Sequence, residues 1–204
     1  MERDFNQDSY REPPASRRRE VQVRSFFEKG LLIDRLAMKY QVDIPGVYRL
    51  TAREYGSKGV RKERLGMLIK HLAARYRTEK GEVFQRPEIT LEYWGDCDDQ
   101  AIAVCAWCRW HSVPYNIVFM GQGRVTHVTV RVFLEDFGRS VEPFSVGGRD
   151  KGVIADALPY KIPDDCKIYC EMSGYSEKWL PQGETLLGPM MEKYAALIEE
   201  KKKP

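Results

Sequence analysis

Apolar residues at helical spacing begin at Ser25, where Phe26, Phe27, Leu31, Leu32 and Leu36 recur. They predict a helix to about Tyr40, with Pro45-Gly46 as a break beyond it. A second helix is expected from Val60 to Arg77, with Leu65, Leu68, Ile69, Leu72 and Ala73 on one face. An extended stretch follows from Phe84 to Tyr93 with Pro87 inside it, and then a third helix from about Asp98 to His111. Ser112-Val113-Pro114 stops that helix, because the residue before a proline avoids the helical region. The period then changes to alternation. Strands are expected at Tyr115–Met120, Val125–Leu134 and Arg139–Phe144, joined by turns at Gly121-Gln122-Gly123 and Glu135-Asp136-Phe137-Gly138. Two successive hairpins imply an antiparallel sheet. A short strand at Lys167–Glu171 and a final helix from Leu187 to Lys201 complete the pattern.

Helices followed by a helix packed on an antiparallel sheet make the class α+β. Residues 1–20 are polar, carry Pro13-Pro14 and Arg17-Arg18-Arg19, and read as a disordered arm. Residues 21–150 form the core domain, and residues 151–204 form an extension whose terminal helix packs on it. The 204 residues fit one domain, and a hydrophobic content of 43% is enough for a core. No apolar run approaches a membrane span, and Met1 to Glu20 holds no apolar signal region. Five cysteines without framework spacing favour free thiols in a reducing compartment.

Charge adds a polarity that the net value of +3 conceals. Residues 46–86 hold 11 Lys/Arg against 4 Asp/Glu, whereas residues 87–204 hold 13 against 18. Aromatics are not interleaved with the basic residues as a stacking platform requires, so a nucleic-acid partner is not expected. Two solvated faces of opposite sign account for the distribution.

The candidate chemistry lies between Gly95 and Phe144. Cys97, in Gly95-Asp96-Cys97-Asp98-Asp99-Gln100, stands at the start of the third helix, where unpaired amide N–H groups and the helix dipole favour a thiolate and an oxyanion. Asp96, Asp98 and Asp99 read mainly as caps and dipole partners; their charges oppose a thiolate, and a cationic His127 nearby would outweigh them. In the second strand Val128, Val130, Val132 and Leu134 share the apolar face, and His127 lies on the other with Thr129, Arg131 and Phe133. Glu142 follows on the next strand, where hairpin pairing brings it beside His127. A nucleophile, a base and an orienting acid are therefore available in order. The remaining candidates are structural. Cys105 and Cys108 fall on the apolar face of the third helix, far in sequence from Cys166 and Cys170, so no zinc site is expected. His111 closes its helix as a dipole-compensating cation, and His71 is expected in solvent on a basic helix.

Gly95-Asp96-Cys97-Asp98-Asp99-Gln100-Ala101 closely resembles the Gly-Asp-Cys-Asp-Asp motif of transglutaminase-like cysteine proteins, and most nearly the form found in tailed phages and prophages. The resemblance extends over about residues 60–145, through Phe84 to Leu91, Val113-Pro114-Tyr115, Thr126 to Val130 and Val141-Glu142-Pro143. It implies a papain-like core with Cys97 as nucleophile and His127 as base. Glu142 stands where the family has Asp before Pro, and Trp94 resembles the aromatic that walls the site or supports the oxyanion hole. The function implied is a cysteine hydrolase or acyltransferase acting on an amide or isopeptide bond through a Cys97 thioester, with no cofactor. Its substrate would be a protein or peptide, such as a cell-wall peptide or virion protein. The alternative is a non-enzymatic virion or assembly protein that keeps the fold. The location implied is the bacterial cytoplasm or the virion.

Overall fold

A computed structural model describes residues 18–20, 25–54, 57–78, 81, 83–134, 152–155, 157–158, 163 and 165–174. Strand β1 spans Arg18–Glu20 and helix α1 Phe26–Lys39, followed by short 3-10 turns at Gln41–Asp43 and Gly46–Tyr48. Helix α2 covers Lys58–Ala73, β2 Val83–Gln85, α3 Pro87–Glu92 and α4 Cys97–Trp110. Strands β3 (Tyr115–Gly121), β4 (His127–Val132), β5 (Val153–Ile154) and β6 (Lys167–Ser173) complete the order. The class is α+β, as the patterning implies.

Local chemistry fixes the helix starts. The Ser25 hydroxyl accepts the Glu28 N–H at 3.2 Å, and Ser57 accepts from Val60 at 3.4 Å, each a cap worth about 1 kcal/mol. Helix α4 ends as Ser112 enters the left-handed region at φ 52°, and Val113 N–H closes on Cys108 O at 2.8 Å.

The β3–β4 hairpin runs in the register Tyr115↔Val132 to Met120↔His127. It is the centre of a four-stranded antiparallel sheet of order β5-β4-β3-β6. Ile117, Phe119, Val128, Val130 and Val132 are buried on the face that packs against α4 and α1. On the opposite face, beside buried Val118 and Thr129, Glu171 bridges Asn116 at 3.0 Å and Arg131 at 2.7 Å. Arg109 of α4 grips Asp34 of α1 at 2.6 Å and the Tyr115 hydroxyl of β3 at 2.8 Å. That cluster fixes both helices against the sheet.

Three elements differ from expectation. Residues 18–20, read as part of a disordered arm, pair antiparallel with β2, from Arg18↔Gln85 to Glu20↔Val83. Helix α2 stops at Ala73 rather than Arg77, because the chain turns to bridge Tyr76 with Gly95: Arg77 N–H reaches Gly95 O at 3.1 Å and Gly95 N–H reaches Arg75 O at 3.2 Å. The stretch from Phe84 to Tyr93 is a strand and then a helix. Pro87 starts α3 at a position that needs no N–H donor. The strand expected at Lys167–Glu171 is β6, and β5 joins the same sheet from the same side of the chain. The strand expected at Arg139–Phe144 and the helix at Leu187–Lys201 lie outside the described residues.

Candidate active site

The motif is held by contacts on three sides. Asp96 is the N-cap of α4, its Oδ1 accepting from Asp98 N at 3.0 Å and Asp99 N at 3.5 Å. Asp99 is fully buried and accepts twice from Gln85 of β2, from its backbone N–H at 2.8 Å and its side-chain Nε2 at 2.7 Å. Gly95 is closely enclosed. A Cβ there would stand 2.7 Å from both Asp99 Cβ and Thr90 Cγ2. Asp98 is buried and ion-paired at 2.6 Å with Lys29, one turn into α1. Asp96 is thus the cap, and Asp98 and Asp99 stand in the first turn of α4 where carboxylates suit the dipole, while also pairing with Lys29 and Gln85 of other elements.

Cys97 is the first residue of α4 and half-buried. Its sulfur lies 3.6 Å from Asp98 Oδ1 and also receives the Val128 backbone N–H. A cavity of about 480 Å³ opens over it. Cys97 and Asp98 contribute from α4, Ser25, Phe26 and Lys29 from the start of α1, and Val125 to Val128 from the entry to β4. His127, the first residue of β4, is half-buried and lines the same cavity. Strand alternation directs Val128 toward α4 and turns His127, the first residue of β4, to the other face of the sheet. Phe26 and Phe119 form an apolar wall, their rings 5.7 Å apart.

The electrostatics differ from those of an ion-paired cysteine. Burial, then the Asp98 and Asp96 carboxylates, push the Cys97 thiol well above its ordinary value. The Val128 N–H and Lys29 pull the other way and are outweighed. The cation opposing the acids is thus Lys29, a residue that sequence reasoning passed over. Its helical phase with Ser25 and Phe26 was visible, but its approach to Asp98 depends on how α1 packs beside α4.

Trp94 does not line this cavity. It is buried beneath the motif, its carbonyl accepting from Gln85 Nε2 at 3.2 Å, with the Arg77 guanidinium 4.9 Å from its ring. Glu142 lies outside the described residues.

The other histidines are not solvated cations. His111 is fully buried, its Nε2 accepts the Leu50 N–H at 3.2 Å, and its ring lies 4.6 Å from Trp107. Burial and Arg49 lower its pKa to about 4, so it is neutral. His71 is half-buried against the Leu91 carbonyl at 2.8 Å, and burial also lowers its pKa. Cys105 and Cys108 are core residues, and all five cysteines are free. Among the described residues, the one set of metal-ligating groups within mutual reach is Asp96, Cys97 and Asp98, where Lys29 already faces Asp98. No described helix is long and apolar enough to cross a membrane. The chain matches no protein-family profile, no curated protein and no solved structure.

Proposed function

We propose that the cavity is the acyl-transfer site of a transglutaminase-like cysteine enzyme with a papain-like core, acting on an amide or isopeptide bond of a protein or peptide. The observation that carries this reading is the convergence of Cys97 at the start of α4 and His127 at the start of β4 on one open cavity. Because the resting thiol is protonated, His127 works as a general base during attack rather than as half of a standing ion pair. It takes the proton as the Cys97 sulfur bonds to the carbonyl carbon, and the oxyanion forms against the N-terminus of α4. Collapse breaks the C–N bond, and His127 returns the proton to the leaving amine. Water or a lysine amine then resolves the thioester. Glu142 is the proposed acid that orients His127. A phage or prophage setting, with a cell-wall peptide or virion protein as substrate, belongs to the same proposal.

The test is thioester trapping by mass spectrometry with glutamine-containing and isopeptide-linked peptides. A covalent adduct on Cys97 is expected, and Cys97→Ala and His127→Ala should lose it. Equal release of amine by Cys97→Ala would refute the reading. The protonated thiol is the observation that favours a second reading, a virion or assembly protein keeping the fold without chemistry. Failure to form any adduct across such substrates would select it.

A further inference from the structure

Within the proposed acyl-transfer site, on which this inference rests, the charges around Cys97 come from three elements. Asp96 and Asp98 belong to α4, Lys29 to α1, and His127 to β4. They are not equivalent. Asp98 uses both carboxylate oxygens: Oδ1 faces the Cys97 sulfur at 3.6 Å, and Oδ2 is held by Lys29 Nζ at 2.6 Å. The carboxylate is almost completely buried, while the Lys29 side chain is 17% exposed and reaches it from the cavity side. A buried carboxylate needs its cation, and with Lys29 in place its orientation toward the thiol is fixed.

We propose that Lys29 is a positioning residue for Cys97. It clamps Asp98 as the resting acceptor of the thiol proton and thereby sets how readily the nucleophile forms. In this arrangement the S–H donates to Asp98 Oδ1 at rest. Attack on a carbonyl requires the sulfur to surrender that contact and pass its proton to His127. Neutralising Asp98 lowers the proton affinity of the sulfur, and removing Lys29 exposes the sulfur to the full carboxylate charge. Asp98 therefore acts as a brake on a thiol that the helix terminus would otherwise activate, and Lys29 limits how strongly it acts.

The experiment follows the rate of Cys97 alkylation by iodoacetamide against pH in the full chain, read by peptide mass spectrometry so that Cys166 and Cys170 are resolved. Asp98→Asn should bring the midpoint of the rate profile down by about one unit or more, equivalent to about tenfold faster labelling below the midpoint. Lys29→Met should slow labelling by about tenfold at pH values below the midpoint, and Lys29→Arg should restore it to within about threefold. A Lys29→Met protein that melts earlier with an unchanged labelling profile would reduce Lys29 to a structural role and overturn the proposal. If Lys29→Met does not fold, Asp98→Asn decides alone, and an unmoved midpoint overturns it. No substrate enters this measurement, so it stands or falls independently of thioester trapping.

Discussion

Acidification should destabilise this fold through His111 before the carboxylates begin to titrate. His111 is completely buried, with Leu50 N–H on its Nε2 and a hydrogen bond to the Tyr48 backbone. Protonation would put a donor against the Leu50 donor and a charge beside Arg49. Its folded pKa is therefore depressed to about 4, against the ordinary 6.5. Between those values the unfolded chain binds a proton that the folded chain refuses. The stability from the neutral imidazole is thus fully present above the unfolded pKa and lost as pH falls toward the folded one. Linkage gives a loss of about 2 kcal/mol between roughly pH 7.5 and pH 5, and about 3 kcal/mol by roughly pH 4. That is a large share of the roughly 5–15 kcal/mol that holds a domain together.

The comparison that isolates His111 is His111→Gln. This variant keeps an acceptor for Leu50 and a donor for Tyr48 but does not titrate. It should be less stable near neutrality, having lost the ring packed on Trp107. Urea unfolding followed by tryptophan fluorescence should then show the two curves converging on acidification, the gap narrowing by about 2 kcal/mol by roughly pH 5. His71, whose depressed pKa acts in the same direction, is present in both proteins and cancels. Parallel stability curves would refute the reasoning, as would an imidazole NMR titration near the ordinary value.

The glycines and the buried acid supply further expectations. Gly95→Ala should cost about 1–3 kcal/mol in chemical denaturation, because its Cβ would press on Asp99 and Thr90. Gly66→Ala, within α2 where an added Cβ meets nothing within 4 Å, should instead stabilise by about 0.5–1 kcal/mol. Asp99→Asn keeps an acceptor for one Gln85 donor, sets an amide N–H₂ against the other and should cost about 1–3 kcal/mol. An unchanged melting temperature in that variant would mean that β2 does not hold the motif.

The legible parts of this chain were those whose side chains repeat. Helices α1 and α4 and strands β3 and β4 were within a few residues of their expected limits, because burial of one face imposes a period on the sequence. Helix α3 has only six residues, too few to reveal a period, and its proline reads as a break until its position at the first turn is known. Strand β1 offers only Arg18, Arg19 and Glu20; its pairing is a backbone matter and leaves no apolar signature. His71 and His111 were misread for a related reason. The segments that bury them, around Tyr48, Leu50 and Leu91, arrive from outside their own helices. Cys97 and His127 stood out because their residue types are informative by themselves. Lys29 did not, since a lysine on a helix is ordinary until its neighbour is known.

The three acids of the motif show how one turn of helix divides the work. Successive residues of an α-helix differ by about 100° in direction, so neighbouring side chains at its start cannot serve the same partner. Asp96 turns back on the backbone and caps α4, Asp98 faces α1 and meets Lys29, and Asp99 points to β2 and meets Gln85. Close carboxylates repel, yet each is matched by its own donors, so the concentrated charge is tolerated. With those directions taken, Cys97 faces the entry to β4, where Val128 N–H and the cavity that His127 lines are found. The acids thus fix where the thiol points, and through Asp98 they also raise its proton affinity. A cysteine aimed so firmly and held protonated is what the proposed general-base route would start from.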